Sequence, residues 1–418
     1  MSYPCRLFSL VAAVLALLLV PGALFALVAP SGPEYRVATA QHEFNPLAAA
    51  FTDGSFVVAW TQGGPSSNVI HARFHAASGA PASAEFRLGQ PAPELLLDGG
   101  AVTTDGAFVV VWEQGRPKNR FLTNVFARKF DRRGKPLTPA FVVHEGSPYS
   151  RYSGAVAGTA DGGFVVAWAA ENPPSPQFGI FTTDAIARFF RANGTAAGPA
   201  IRLTGPVFDP AADSGIVPTA IAVAPDGSVT IVSNCFCDQP GLLLQRFGSD
   251  GVVFDDIDPA SGCACRGDLT IFPSLSMAPD GSFVVAWVNG VGLVSTNPDD
   301  SFPTVVRARR FAADGSALGD VFQVNQGDRL TREPHVAMLA DGGFVIGWTD
   351  QDGLDGDHSG VFARAYDANG DTSGPDLQLN QRSAGNQILT SIAAAGSRAI
   401  AVWQDAGTRV YARILAQQ

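Results

Sequence analysis

The sequence predicts an all-β fold: a single seven-bladed β-propeller of four-stranded blades, closed by an N-terminal strand that completes the last blade. Three observations predict it. A phrase of the form Asp-Gly-x-Phe-Val-Val-x-Trp begins at Asp53, Asp105, Asp161, Asp226, Asp280 and Asp341, with a degenerate copy at Gly396. Its spacing, about 50 to 65 residues, is that of a solenoid, propeller or array rather than of independent domains. The last copy stops at its third strand, and a segment like the missing fourth, Tyr35-Arg36-Val37-Ala38, stands near the other end of the chain. A strand donated from one terminus to the sheet at the other is how a propeller shields its edges.

Each repeat reads as four short strands. A strand of small residues, such as 47–51 or 336–339, precedes the Asp-Gly pair, the strongest two-residue hairpin signal. Phe-Val-Val-x-Trp forms the second strand. After a loop of variable length, a third strand carries Ala-Arg-x-aromatic, as in Ala127-Arg128-Lys129-Phe130 or Ala363-Arg364-Ala365-Tyr366. A Gly-containing turn then leads to a fourth strand such as Phe322-Gln323-Val324-Asn325.

Composition fits this reading. Hydrophobic residues make up 46%, enough for a large core, while 45 Gly and 29 Pro mark a turn-rich chain that is neither collagen-like nor disordered. Only 28 basic residues face 38 acidic ones, and Lys118, Lys129 and Lys135 are the only lysines. Such a chain has no field to hold a phosphate backbone, so nucleic acid is excluded as a partner.

Residues 1–29 have the layout of a signal peptide: Arg6, an apolar run over 7–20 broken only by Ser9, a Pro21-Gly22 break, and small residues before cleavage after Ala26 or Ala29. Left uncleaved, the same segment would be an N-terminal anchor. The propeller is expected over residues 33–416, as a monomer, secreted or otherwise extracytoplasmic, in the periplasm or at the cell surface. Processing removes Cys5 and leaves Cys235, Cys237, Cys263 and Cys265 as two Cys-x-Cys pairs. An even number of cysteines in an exported chain predicts disulfides, whereas zinc sites usually place two residues between paired ligands.

The phrases at 341–348 (Asp-Gly-Gly-Phe-Val-Ile-Gly-Trp), 360–367 (Gly-Val-Phe-Ala-Arg-Ala-Tyr-Asp) and 377–380 (Leu-Gln-Leu-Asn) resemble repeats of large exported bacterial proteins, among them calcium-binding, haemolysin-type and adhesin-like ones. The resemblance spans nearly the whole mature chain and implies a propeller and export, but no single activity. This chain departs from it in carrying Arg where such repeats often have Gln, and in its cysteine-bearing fourth blade.

All six Trp share one repeat position: Trp60, Trp112, Trp168, Trp287, Trp348 and Trp403. The third-strand Arg recurs at Arg73, Arg128, Arg188, Arg309, Arg364 and Arg413. Blade 4 lacks both, with Ser233 and Gln245 instead, so the two are expected to touch, guanidinium on indole. One residue in every blade points to blade-to-blade packing, not to a ligand.

Variable loops on a rigid scaffold are where binding evolves. Three constellations stand out on the face that carries them. Asp350, Asp352, Asp355 and Asp357 offer hard oxygen ligands for Ca²⁺, the one cofactor the sequence suggests, against the alternative of a solvated acidic hairpin. Tyr149, Arg151 and Tyr152, near His144 and Glu145, have the chemistry to stack on and hydrogen-bond a glycan or peptide. Glu43, Arg151, Glu333, His335 and Asn386 stand near the starts of first strands, where they would face a channel mouth. The main expectation is a binding module that recognises an extracellular glycan or protein through this loop-rich face. The alternative is an extracellular hydrolase or lyase whose site lies at the channel mouth; three or more convergent ionisable groups in a deep channel would favour it.

Overall fold

The computed structural model describes residues 28–64, 66–116, 119–174, 182–203, 215–236, 241–248, 253–257, 270–290, 304–372 and 374–417. Among these residues there is no helix, and therefore none long and apolar enough to cross a membrane. The chain is all-β, a succession of antiparallel sheets in the manner of a β-propeller.

The repeat phrase sets each sheet. In unit 1 the strands are Glu43–Ala50, Phe56–Gly63, Asn68–His75 and Phe86–Arg87, paired in that order. Between the first two, Asp53 Oδ1 accepts the Ser55 N–H at 3.0 Å, and Gly54 adopts φ 80°. The corresponding glycines 106, 162, 227, 281 and 342 all lie between 75° and 88°, a backbone conformation that a side chain would strain. The sheets of units 3 and 4 are joined into one by a single parallel bridge, Thr183 to Gly215.

The last sheet takes strands from both ends of the chain. Gln387–Ala395, Arg398–Asp405 and Arg409–Gln417 pair in order, and the outer edge of Arg409–Gln417 pairs with both Val28–Pro30 and Tyr35–Arg36. Tyr35 opposes Ala412 and Arg36 opposes Tyr411, as Phe86 opposes Ala72 and Arg87 opposes His71 in unit 1. The ordered pairing begins at Val28, five residues before the expected boundary at 33.

Valines of the second strands are buried on both faces of each sheet, so each sheet needs a cover on either side. Each first strand lies against that of the next unit, and Gln387–Ala395 lies against Glu43–Ala50. Hydrophobic clusters fill the junctions. Trp112 packs with Val57 and Phe74 of unit 1, Trp168 with Val109 and Val111 of unit 2, and Trp348 with Val284 and Ala308 of unit 5. Trp60 packs in the same way with Ile400 and Val402 of the last sheet. All six indoles are at most 3% exposed.

The expected Trp–Arg stack is not formed. Trp60, Trp112 and Trp403 stack instead on the residues directly opposite, His71, Phe126 and Tyr411. The arginine lies two residues further along, opposite a residue of the second strand such as Val58 or Val110. From there the guanidinium of three of the six reaches the preceding unit: Arg128 Nη1 donates to Leu88 O at 3.2 Å and Arg413 Nη1 to Leu379 O at 2.9 Å. Arg73 Nη1 donates likewise to Val37 O, at 2.7 Å. Joint absence in unit 4 therefore reflects a shared interface rather than a direct contact.

Glu43 marks the junction of the two ends. Its backbone N–H bonds Thr408 O at 3.1 Å, and its carboxylate is fully buried, 3.9 Å from Arg36 Nη2. Burial pushes the carboxyl up to about 7, against the pull of Arg36. Because the folded-state value lies above the ordinary 4.5, the native state holds this proton more tightly, and stability falls as pH rises from 4.5 through 7. Glu43→Gln should match the wild type near pH 4.5 and exceed it above pH 7 by on the order of 3 kcal/mol, read as a pH-dependent difference in urea midpoint. A difference that does not change with pH would contradict the buried acid.

Candidate active site

Each first strand carries a β-bulge near its start. The pairing with the second strand skips between Phe44 and Leu47, Leu97 and Gly99, Tyr152 and Ala155, Pro218 and Ala220, Ile271 and Ser274, Arg332 and His335, and Leu389 and Ser391. Three bulges hold x-Pro pairs: Asn45-Pro46, Phe272-Pro273 and Glu333-Pro334. A proline there lacks the N–H that a bulge would leave unpaired. Asn45, Phe272 and Glu333 take left-handed φ of 47°, 54° and 51°, which costs a bulky residue about 1–2 kcal/mol. Such bulges re-aim side chains, and here they aim them at one cavity.

That cavity, about 480 Å³, is walled by Asn45, Leu47, Leu97, Asp98, Thr219, Phe272, Glu333, His335, Ile388, Thr390 and Gln404. It lies at the strand ends that lead from the variable loops. A second cavity, about 520 Å³, occupies the Asp-Gly end and is lined mainly by small and apolar residues, among them Ala50, Val223, Met277, Met338 and Ala394. Only the first has chemistry. Phe272 is an apolar ring still 37% exposed beside polar groups. Thr219 and Thr390 donate their hydroxyl protons to Val232 O and Val402 O, which leaves oxygen lone pairs as acceptors.

The ionisable groups in the wall are all perturbed. Asp98 occupies the bulge of its strand, and its Oδ2 accepts the Gly154 N–H of the neighbouring first strand at 3.1 Å. The strands come this close because both positions are glycine-flanked: a Cβ on Gly99 would stand 2.9 Å from Gly154 O. Burial, reinforced by the Glu113 charge, holds the Asp98 carboxyl well above the usual carboxylate range, despite the Gly154 bond. Burial also raises Glu113 and Glu333. His335 is pushed down to about 4 by burial, so its imidazole is neutral over the physiological range. A carboxyl that keeps its proton to higher pH than usual, in one cavity with a neutral imidazole, has the chemistry of a proton donor paired with a proton acceptor.

Of the residues singled out from the sequence, Glu333 and His335 line this cavity, whereas Glu43 is buried at the chain-end junction. Asn386 O accepts the Ala406 N–H, outside the cavity wall. Arg151 Nη1 donates to Ser150 O and Glu171 O, both at 2.8 Å. Tyr152 OH lies 3.1 Å from Thr183 Oγ1, and the loop at Tyr149 is tied down by Arg116, which donates to Ser147 O and Tyr149 O. This trio is half-buried and its arginine is spent on backbone carbonyls. Asp98 and Glu113 are absent from the sequence reading. The signal available was an acid, Asp98, inside a first strand otherwise made of Leu, Gly, Ala and Val.

The four acidic-loop carboxylates are held apart. Asp350 Oδ1 accepts the N–H groups of Asp352 and Leu354, Asp352 Oδ2 that of Leu330, Asp355 Oδ2 the Asn380 amide, and Asp357 Oδ2 the Gly385 N–H. Among the described residues no three His, Cys, Asp or Glu side chains gather as a metal cluster. Cys235 is buried in Val229–Phe236, while Cys237, Cys263 and Cys265 lie outside the described residues, and with them the expected disulfides.

Burial is the larger cause of the Asp98 shift and Glu113 the smaller. Side-chain carboxyl titration by NMR should therefore find Asp98 above the ordinary carboxylate range in the wild type, lowered but still elevated in Glu113→Gln. An ordinary value for Asp98 in the wild type would remove the proton donor from the site.

No family model matches the chain, and no curated protein does. Solved structures do. The polysaccharide lyase Uly1 is similar with a TM-score of 0.54 at 8% identity, over 89% of this chain and 90% of that one. A Dyadobacter fermentans protein of unknown function matches at 0.51 and 10% identity, over 94% and 99%. Raptor from Chaetomium thermophilum matches at 0.51 and 10% identity, over 94% of this chain but 29% of that one. At these identities the likeness is one of fold.

Proposed function

We propose that the protein is an exported seven-bladed propeller, closed by its N-terminal strands, that cleaves a glycan at the bulge-lined mouth cavity. The ring is supported by the junction between the last sheet and the first, which has the same parts as the junction between units 1 and 2: an indole under the preceding sheet's aliphatic residues, and an arginine bonded to its outer strand. It is supported too by the cavity at the Asp-Gly end, whose wall takes residues from the end of a first strand, or the turn that follows it, in every unit. Export rests on the layout of residues 1–29, and cleavage after Ala26 would leave the pairing of Val28–Pro30 intact.

Fold does not choose between cleaving and binding, because at 8–10% identity the likeness to solved structures is one of architecture alone. The observation that carries the enzyme reading is the convergence of Asp98, Glu333 and His335 on one cavity beside the exposed Phe272 ring. The loop-face binding module expected from the sequence has less behind it, because Arg116 and Arg151 are committed to backbone carbonyls. In the proposed roles Asp98 gives a proton to the leaving oxygen, His335 receives one, and Phe272 holds the sugar ring.

Asp98→Asn keeps an oxygen for the Gly154 N–H but removes the acid, and should lower kcat by about 10²- to 10⁴-fold with little change in KM. The wild-type rate should fall toward acid as His335 protonates near 4, and toward base as Asp98 ionises above the usual carboxylate range. Asp98→Asn activity within a few-fold of the wild type on every cleaved glycan would refute the assignment.

A further inference from the structure

We infer that the glycan taken at the mouth cavity is uncharged, so that its cleavage is hydrolysis and not elimination. The inference rests on the proposed carbohydrate-cleaving site and specifies its substrate class. Among the described residues the cavity wall holds two carboxyl groups, one imidazole, two amides, two threonine hydroxyls and an aromatic ring, and no Arg or Lys. A uronate or sulfate entering it would lose water without gaining a cation, next to Asp98 and Glu333. The chain around it carries a net charge of −10.

Outside the wall, exposed Arg332 acts on the Glu333 carboxyl and offsets part of its negative charge without lining the cavity, and among the described residues three other arginines of this face are committed to backbone carbonyls. Arg116 bonds Ser147 O and Tyr149 O, Arg151 bonds Ser150 O and Glu171 O, and Arg36 bonds Ala40 O beside Glu43. What remains suits a neutral sugar. Asn45 and Gln404 offer amide donors and acceptors for hydroxyl groups, the threonine oxygens accept, and Phe272 faces the apolar side of a pyranose or furanose ring.

Elimination needs an acidic C–H beside a carboxylate, which a neutral sugar lacks. Hydrolysis needs only what the wall provides. The Asp98 carboxyl protonates the glycosidic oxygen as the bond from that oxygen to the anomeric carbon breaks. Water adds to the anomeric carbon and gives its proton to His335. The imidazolium then returns a proton through solvent to the Asp98 carboxylate, and both groups regain their starting states.

The test uses the full mature chain and a panel of neutral pentose and hexose polymers matched with uronate and sulfated ones. New reducing ends should appear from at least one neutral polymer at a rate about 100-fold or more above any anionic polymer. Turnover of a uronate polymer with the ultraviolet absorbance of an unsaturated product would overturn the inference while leaving a glycan-cleaving site in place. If no polymer is cut, the cleaving role falls, and calorimetric titration of Asp98→Asn with oligosaccharides from the same panel decides the charge question alone. Binding of neutral oligosaccharides only would uphold the inference; binding of uronates, or of none, would overturn it. Gln404→Lys adds a cation to the wall and should confer uronate binding that the wild type lacks, a gain that a misfolded variant cannot mimic.

Discussion

The structure depends on one constraint: each sheet is apolar on both faces and finds its cover only in its neighbours. A four-stranded sheet with Val57, Val58 and Trp60 in its second strand has no stable existence alone. Stacking such sheets side by side covers every face but two, those of the first and last units. The proposed ring removes the exception by bringing Trp60 under Ile400 and Val402. The recurring tryptophan and arginine belong to this constraint. The indole fills the junction, and at Arg73, Arg128 and Arg413 the guanidinium satisfies a carbonyl at the far side of it.

The same constraint creates the site. First strands crowded around an axis converge, and small residues such as Ala48, Ala49, Gly99 and Gly100 make room for them. At their leading ends the ladder is broken by bulges, and side chains the core cannot use turn inward. Glu333 and Phe272 in left-handed backbone are unfavourable locally and persist because the surrounding sheets fix them. Enclosure then does the chemical tuning: partial withdrawal from water raises the Asp98 carboxyl above its usual range and keeps His335 neutral.

Much of the fold was legible because it is written several times. The Asp-Gly turns, the second-strand Phe-Val-Val-x-Trp and the pairing of Tyr35–Arg36 with the last strand all follow from repetition, which exposes any position that recurs. The site was legible only in part, since function resides where repeats differ. Glu333 and His335 were visible as polar residues near a strand start. Asp98 was hidden, because its Asp-Gly looks like a turn signal yet falls inside a strand, where the glycine serves a close approach to Gly154. The Trp–Arg pair shows a further limit: residues lost together share an interface, and sequence alone does not say whether they touch.

The ring is tested most directly at the backbone of its seam. The N–H of Val37 bonds Val410 O at 2.9 Å, just as the N–H groups of Leu88, Val143, Val324 and Leu379 bond Ile70 O, Val125 O, Val306 O and Val361 O within single units. Native-state hydrogen exchange of the protein measures all five in one experiment. A closed ring predicts that the Val37 amide is protected to the same free energy as the other four, rising and falling with them in denaturant. Exchange of Val37 at the rate of an exposed peptide, with the other four still protected, would mean that the ends do not meet and the ring is open.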